Sequence, residues 1–186
     1  MRWQDPVILV VTACAGIVTC SSAWTDQTYL PSAWPRTPIR VEGTVLVDAT
    51  GRQVFLRGVN VGNKSSAEHH VTWPQAEDYQ TLRNKGLTAV RYLIFWSAVE
   101  PKPGTYDETY LDAVAHQVEI ITNTGLFVIL DAHQDLYSES IPGGNGSPPW
   151  AVARPDLPHR TPGGVWSLAY FTSPRLHAAW DAFWAN

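Results

Sequence analysis

A parallel α/β architecture is the fold class this sequence predicts, and three observations predict it. Residues 125–130 form an unbroken apolar run that ends abruptly in Asp131, His133 and Asp135. A strand apolar on both faces belongs between helices in a parallel sheet, and in a (β/α) barrel the polar groups of the site stand at the C-terminal strand ends. Strand patterns at residues 57–61, 87–96 and 125–131 alternate with helix patterns, which is the βα repeat of such a sheet. No glycine-rich phosphate-binding motif follows any of these strands, which argues against an open nucleotide-binding sheet.

At 186 residues the chain has the length of one ordinary domain, whereas a full eight-stranded barrel takes about 250 residues. The expectation is therefore the N-terminal part of a barrel, ending after about three βα units. A formal net charge of −4 with 16% charged residues offers no basic field to nucleic acid. Nine Trp and seven Tyr are more telling, because flat amphipathic rings suit sugar faces, although most such rings serve packing.

Residues 1–23 read as a secretory signal: a short charged lead, an apolar stretch too short for a permanent span, and small residues at Ser21 and Ala23 for cleavage. The segment Ile17-Val18-Thr19-Cys20 also resembles a lipoprotein cleavage box, with an unusual Thr, and offers Cys20 for lipidation. Asp5 and Pro6 fit a signal poorly, which leaves a non-cleaved anchor open. A secreted or extracytoplasmic protein is expected either way. Both cysteines, Cys14 and Cys20, lie in this segment, so the remainder can form no disulfide of its own.

Residues 24–38 form a Pro- and Thr-rich linker, and residues 39–186 the partial barrel domain. Asp48-Ala49-Thr50-Gly51-Arg52 is a turn cluster that predicts a hairpin between residues 45–47 and 54–56, the second arm running into a first strand at residues 57–61. Thr72 as an N-cap, Pro74 and Gln75 open a helix to about Asn84 that Gly86 ends. The second strand spans residues 87–96, interrupted by Arg91. Asp107 caps a helix with Tyr110, Leu111, Val114, Val118 and Ile121 at helical spacing, ended by Gly125. Residues 134–172 are crowded with Gly and Pro, and their place beside the polar cluster predicts a lid. Ser173-Pro174 opens a last helix, whose apolar Leu176, Ala179, Trp180, Phe183 and Trp184 face a fourth strand expected to follow.

His133 and Asp135 are two residues apart, so an extended chain points them the same way. A histidine there orients or neutralises an acid, and a carboxylate accepts paired sugar hydroxyls. Arg91 within an apolar strand requires an anionic partner; a catalytic carboxylate and a structural ion pair both satisfy that need. Asn60, Asn63 and Lys64 follow the first strand, and Lys64 can donate to a hydroxyl or an anion. Trp96 is a candidate sugar platform, with packing an equal alternative, and Glu100 before Pro101 fixes its loop. His69 and His70 are adjacent and chelate poorly from one face, so neither metal nor cofactor is expected.

Phe55-Leu56-Arg57-Gly58-Val59-Asn60, Asn63-Lys64-Ser65-Ser66, Val90-Arg91-Tyr92, residues 96–101 and Leu130-Asp131-Ala132-His133-Gln134-Asp135 together resemble glycoside hydrolase family 5. The match continues to Asn145-Gly146-Ser147-Pro148-Pro149-Trp150 and is similar to the endoglycosylceramidase branch. The resemblance implies a (β/α)8 barrel that cleaves the glycan–ceramide bond of glycosphingolipids with retention, using two carboxyl groups about 5–5.5 Å apart. It implies that Arg91 supports the nucleophile and that Lys64, His133 and Asp135 bind substrate. The family's acid/base Glu follows strand four and its nucleophile Glu strand seven, so both are expected outside these residues and the chain alone is expected to be inactive. Glycosphingolipid or oligosaccharide is the implied partner, with peripheral contact to lipid surfaces. The alternatives are a non-catalytic carbohydrate- or lipid-binding piece and another family 5 β-glycanase.

Overall fold

The computed structural model describes residues 7–9 and 38–185. Among the described residues the elements in chain order are β1 (Val7–Leu9), β2 (Arg40–Glu42), β3 (Val45–Val47) and β4 (Gly58–Val61). Then come α1 (Ala76–Asn84), β5 (Ala89–Ile94), the short α2 (Trp96–Val99), α3 (Glu108–Asn123) and β6 (Phe127–Ala132). Two more helices, α4 (Ala169–Thr172) and α5 (Pro174–Trp184), complete it. The main sheet is parallel, in the order β1-β6-β5-β4, and β2 and β3 form a separate antiparallel pair. The expected signal and linker lie almost wholly outside the described residues. Within them, Val7–Leu9 pairs with Val128, Ile129 and Leu130 along the β6 edge.

The three expected βα strands are present. The face of the two central strands turned toward α1 and α3 is buried: Tyr79, Tyr110, Val114, Val118 and Ile121 pack on Val90, Tyr92, Leu126 and Val128. Each such side chain withdrawn from water contributes about 1.5–3 kcal/mol. Asp107 caps α3 as expected, its Oδ1 accepting from the Tyr110 amide at 3.0 Å. Ser173 likewise accepts from Leu176 at the start of α5.

Three local expectations need correction. The hairpin partner of β3 is mainly β2, folded back around Gly43-Thr44. The expected second arm contributes only the Val47–Gln53 bridge and the Val54 amide bond to Leu46. Asp48 still makes the turn, its Oδ1 accepting from the amides of Thr50 and Arg52 at 2.9 and 3.0 Å. Thr72 does not cap α1. Its hydroxyl is buried against the Tyr92 hydroxyl, while Asp78 accepts from the Gln75 amide at 2.8 Å and secures the helix start.

The third correction concerns the expected lid of residues 134–172, whose first part, up to Val152, is packed into the fold while residues 153–168 stay largely exposed. Leu136, Tyr137 and Ile141 are buried and join Val152, Ala169, Leu176 and Ala179 in a second hydrophobic cluster. Compact surface loops whose ends meet and whose own side chains fill them behave in this way. Residues 135–147 therefore form a packed shoulder beside the strand ends.

Candidate functional site

The C-terminal ends of β4, β5 and β6 bring together Lys64, Arg91, Asp131, His133 and Asp135. Arg91 faces Ile129 and Leu93 faces Asp131 across the β5–β6 ladder. Residues two apart share a face of a strand, so Arg91 and Asp131 meet diagonally, guanidinium to carboxylate, at 2.8 Å. Asp131 is 1% exposed. It is thus the anionic partner that Arg91 needs, and sequence reasoning gave it no role.

The same Asp131 oxygen lies 3.2 Å from His133 Nδ1. With that nitrogen turned to the carboxylate, Nε2 points to Asp135, whose Oδ2 is 3.4 Å away. Nε2 is buried without a hydrogen bond among the described residues. The expected alignment of His133 with Asp135 is present, and Phe95 supports the imidazole edge-on at 5.6 Å.

Lys64 reaches the group from the loop after β4, its Nζ 2.6 Å from Asp135 Oδ2. Asn63 shapes that loop. Its side-chain amide donates to Glu68 and to the Val71 carbonyl, its Oδ1 accepts from the Ser65 amide at 2.9 Å, and its backbone carbonyl meets His70 Nδ1 at 3.1 Å. His70 stacks on Phe95 with ring centroids 4.2 Å apart. Burial pushes the His70 imidazole below its ordinary value, against the opposing pull of the Asn63 carbonyl and the Glu139 charge. A neutral ring on an aromatic face is the result.

Asp135 is the most accessible carboxylate of the group. Burial alone would raise its carboxyl, but hydrogen bonds from Lys64 and Asn145, with the charges of Lys64 and His133, hold it below its ordinary value. Both bonds go to Oδ2. Oδ1 has no partner among the described residues, and the half-exposed Lys64 ammonium retains further N–H groups. A charged donor beside a charged acceptor, both reachable from solvent, suits neighbouring hydroxyls such as those of a sugar ring.

Trp96 stands elsewhere in the arrangement. Its ring meets Trp150 and Phe183 edge-on at 5.3 and 5.9 Å, and its N–H donates to Glu100 at 2.8 Å. It is partly buried against the second cluster, the packing role expected equally with a sugar platform. Glu100 fixes the loop as expected, also accepting from the Gly104 amide at 2.7 Å. Asn60, on exposed β4, faces Arg91 across the β4–β5 ladder, but its side chain makes no hydrogen bond to the group among the described residues.

Residues 47–157 match the cellulase family, glycosyl hydrolase family 5. The chain belongs to this family. It is 39% identical over 159 residues to endoglycoceramidase I of Rhodococcus hoagii (strain 103S), covering 83% of this chain and 31% of that protein. Among solved structures it is similar to endo-glycoceramidase II from a Rhodococcus species as its lactosyl-enzyme intermediate. There the TM-score is 0.65 at 37% identity, over 76% of this chain and 34% of that one. The same enzyme in complex with ganglioside GM3 gives a TM-score of 0.61 at 34% identity, over 76% and 34% of the two chains. This family 5 chain thus spans about a third of the relatives it matches.

Proposed function

We propose that this family 5 chain supplies the sugar-binding wall of a secreted retaining glycosidase that cleaves the glycan–ceramide bond of glycosphingolipids. The observation that carries this reading is the Lys64–Asp135–His133 group at the strand ends, backed by the Arg91–Asp131 ion pair. Lys64 and Asp135 offer a donor and an acceptor to adjacent hydroxyls, and His133 is held by Asp131 to orient Asp135. The related enzyme forms a lactosyl-enzyme intermediate and binds ganglioside GM3. A covalent glycosyl-enzyme belongs to the retaining route.

Asp131 and Asp135 are both engaged in ion pairs, which suits supporting carboxylates better than the acid and nucleophile of that route. In this reading those two groups belong to the whole protein, within its (β/α)8 barrel, and Arg91 supports the nucleophile. Residues 1–23 act as the export signal. Exposed Val165, Trp166 and Leu168, on the segment leading into α4, and Phe171 on α4 itself, supply contact with the lipid surface in which the substrate resides.

Calorimetric titration of the chain with the GM3 oligosaccharide tests the binding half of the proposal. The expected result is saturable binding that weakens about tenfold or more in Lys64→Met and Asp135→Asn, as the loss of one charge-assisted hydrogen bond implies. Absence of binding by the unaltered chain, or affinity in both variants equal to that of the unaltered chain, would overturn it.

A further inference from the structure

The shoulder of residues 135–147 closes on itself at one point. The Asp135 amide donates to the Asn145 carbonyl at 3.1 Å, and the Asn145 amide donates back to the Asp135 carbonyl at 2.7 Å. The exchange holds the two residues directly opposite each other. Asn145 then uses its side chain as well, its Nδ2 donating to Asp135 Oδ2 at 2.8 Å.

That oxygen also receives Lys64. A carboxylate only accepts hydrogen bonds, so the amide nitrogen must face it. Asn145 Oδ1 is consequently turned away, and it is buried with no partner among the described residues. An unpaired buried acceptor is costly, and its persistence shows that Asp135 dictates the orientation of this amide. The next residue fastens the turn from the other side: the Gly146 carbonyl accepts from the Ser97 amide at 2.8 Å, linking the shoulder to the helix after β5. Asn145 is thus anchored through backbone at two points, whereas Lys64 reaches Asp135 at the end of a flexible, half-exposed side chain.

We infer that Asn145 is a positioning residue that fixes the Asp135 carboxylate in the rotamer facing Lys64, leaving Oδ1 free for a sugar hydroxyl. The inference rests on the sugar-binding reading of this site and assigns Asn145 a part in it. Without Asn145, Lys64 is the one hydrogen-bond donor on that oxygen among the described residues, with His133 Nε2 3.4 Å away and not hydrogen-bonded, and the carboxylate can swing about it. The second, rigid donor on the same oxygen removes that freedom before any ligand arrives.

The test uses Asn145→Ala and Asn145→Asp in the full chain, with two readouts. Carbon-detected NMR follows the titration of the Asp135 carboxyl, and calorimetry measures affinity for the GM3 oligosaccharide in a double-mutant cycle with Asp135→Asn. The expected results are a raised Asp135 midpoint in Asn145→Ala and a larger rise in Asn145→Asp, where two carboxylates face each other. Sugar affinity should fall about tenfold in Asn145→Ala, and the same change should cost nothing further once Asp135 is Asn. An unchanged Asp135 midpoint in both variants, or a loss of affinity undiminished in the Asp135→Asn background, would overturn the inference. If Asn145→Ala does not fold, the midpoint in Asn145→Asp decides. If the midpoints move as expected but the unaltered chain binds no sugar, Asn145 retains its role toward Asp135 and the sugar-binding reading is what fails.

Discussion

Replacing Asp131 by Asn removes one charge from the most buried part of the site while keeping the side chain's shape. The carboxylate is 1% exposed and its guanidinium partner lies at 2.8 Å. Breaking a buried pair by deleting one partner costs about 3–5 kcal/mol, mainly through the uncompensated charge left behind. The Arg91 side chain is 32% exposed, so water relieves part of that cost and about 2–3 kcal/mol is the better figure. With a urea dependence of about 2 kcal/mol per M for a chain of this size, the unfolding midpoint should fall by roughly 1–1.5 M. Equilibrium urea unfolding followed by tryptophan fluorescence measures this. The companion variant carries Asp131→Leu with Arg91→Met, and it should recover most of the lost stability because neither charge remains. A loss below about 0.5 kcal/mol in Asp131→Asn, or a double variant as damaged as the single, would refute the ion-pair account.

Two further outcomes follow from the same geometry. Since the folded-state carboxyl of Asp135 lies below its ordinary value of 3.8, it contributes stability that is fully present above that value and is lost as pH falls through the lower, folded-state value. Lys64→Met removes the strongest of the lowering interactions, so the Asp135 midpoint should rise and this acid-side contribution should disappear at higher pH; NMR titration with acid-unfolding curves checks both. Gly146 has φ +113°, and a Cβ there would meet Gln134 Cβ at 2.5 Å and the His133 carbonyl at 2.6 Å. Gly146→Ala should therefore cost about 2 kcal/mol or more in thermal unfolding, and Gly163→Ala, at φ +61° with open space around it, only about 1–2 kcal/mol of backbone strain. Equal losses would show that the clash at the strand end is relieved by movement.

The parts of the fold that the sequence made legible are those governed by short-range rules. Residues 125–130 form the apolar run that predicts a strand, and β6 is present there, with Val128 buried under the helices and Phe127, Ile129 and Leu130 partly covered. Asp107 stands immediately before a helical repeat and caps it. His133 and Asp135 share a side because residues two apart do so in extended chain. The Arg91–Asp131 pair was out of reach for a different reason: it depends on the register between β5 and β6, and a one-residue slip would put the two groups on opposite faces. Thr72 satisfied every local sign of a helix cap, yet a buried tyrosine hydroxyl from another strand competed for it and won. Asn145 carried only the Asn-Gly signal of a turn. Nothing local reveals that the turn returns to Asp135.

The same distinction explains why a Gly- and Pro-rich segment became a shoulder. Such composition says that the chain bends often, and is silent on what the bends enclose. Leu136 and Tyr137 both adopt positive φ, 48° and 73°, at an expense of about 1–3 kcal/mol each. Their side chains are fully or almost fully buried, and the Leu136 amide donates to the Tyr170 hydroxyl at 2.9 Å while the Tyr137 amide donates to Gln134 Oε1 at 2.8 Å. Tyr170 also donates to Gln134, at 3.1 Å. The strained pair is therefore held by packing and by a polar network rooted between His133 and Asp135. A loop that closed over ligand would have to break these contacts at each cycle. A fixed shoulder instead presents Asp135 already oriented, so the sugar proposed to bind there would lose less free energy to ordering the protein.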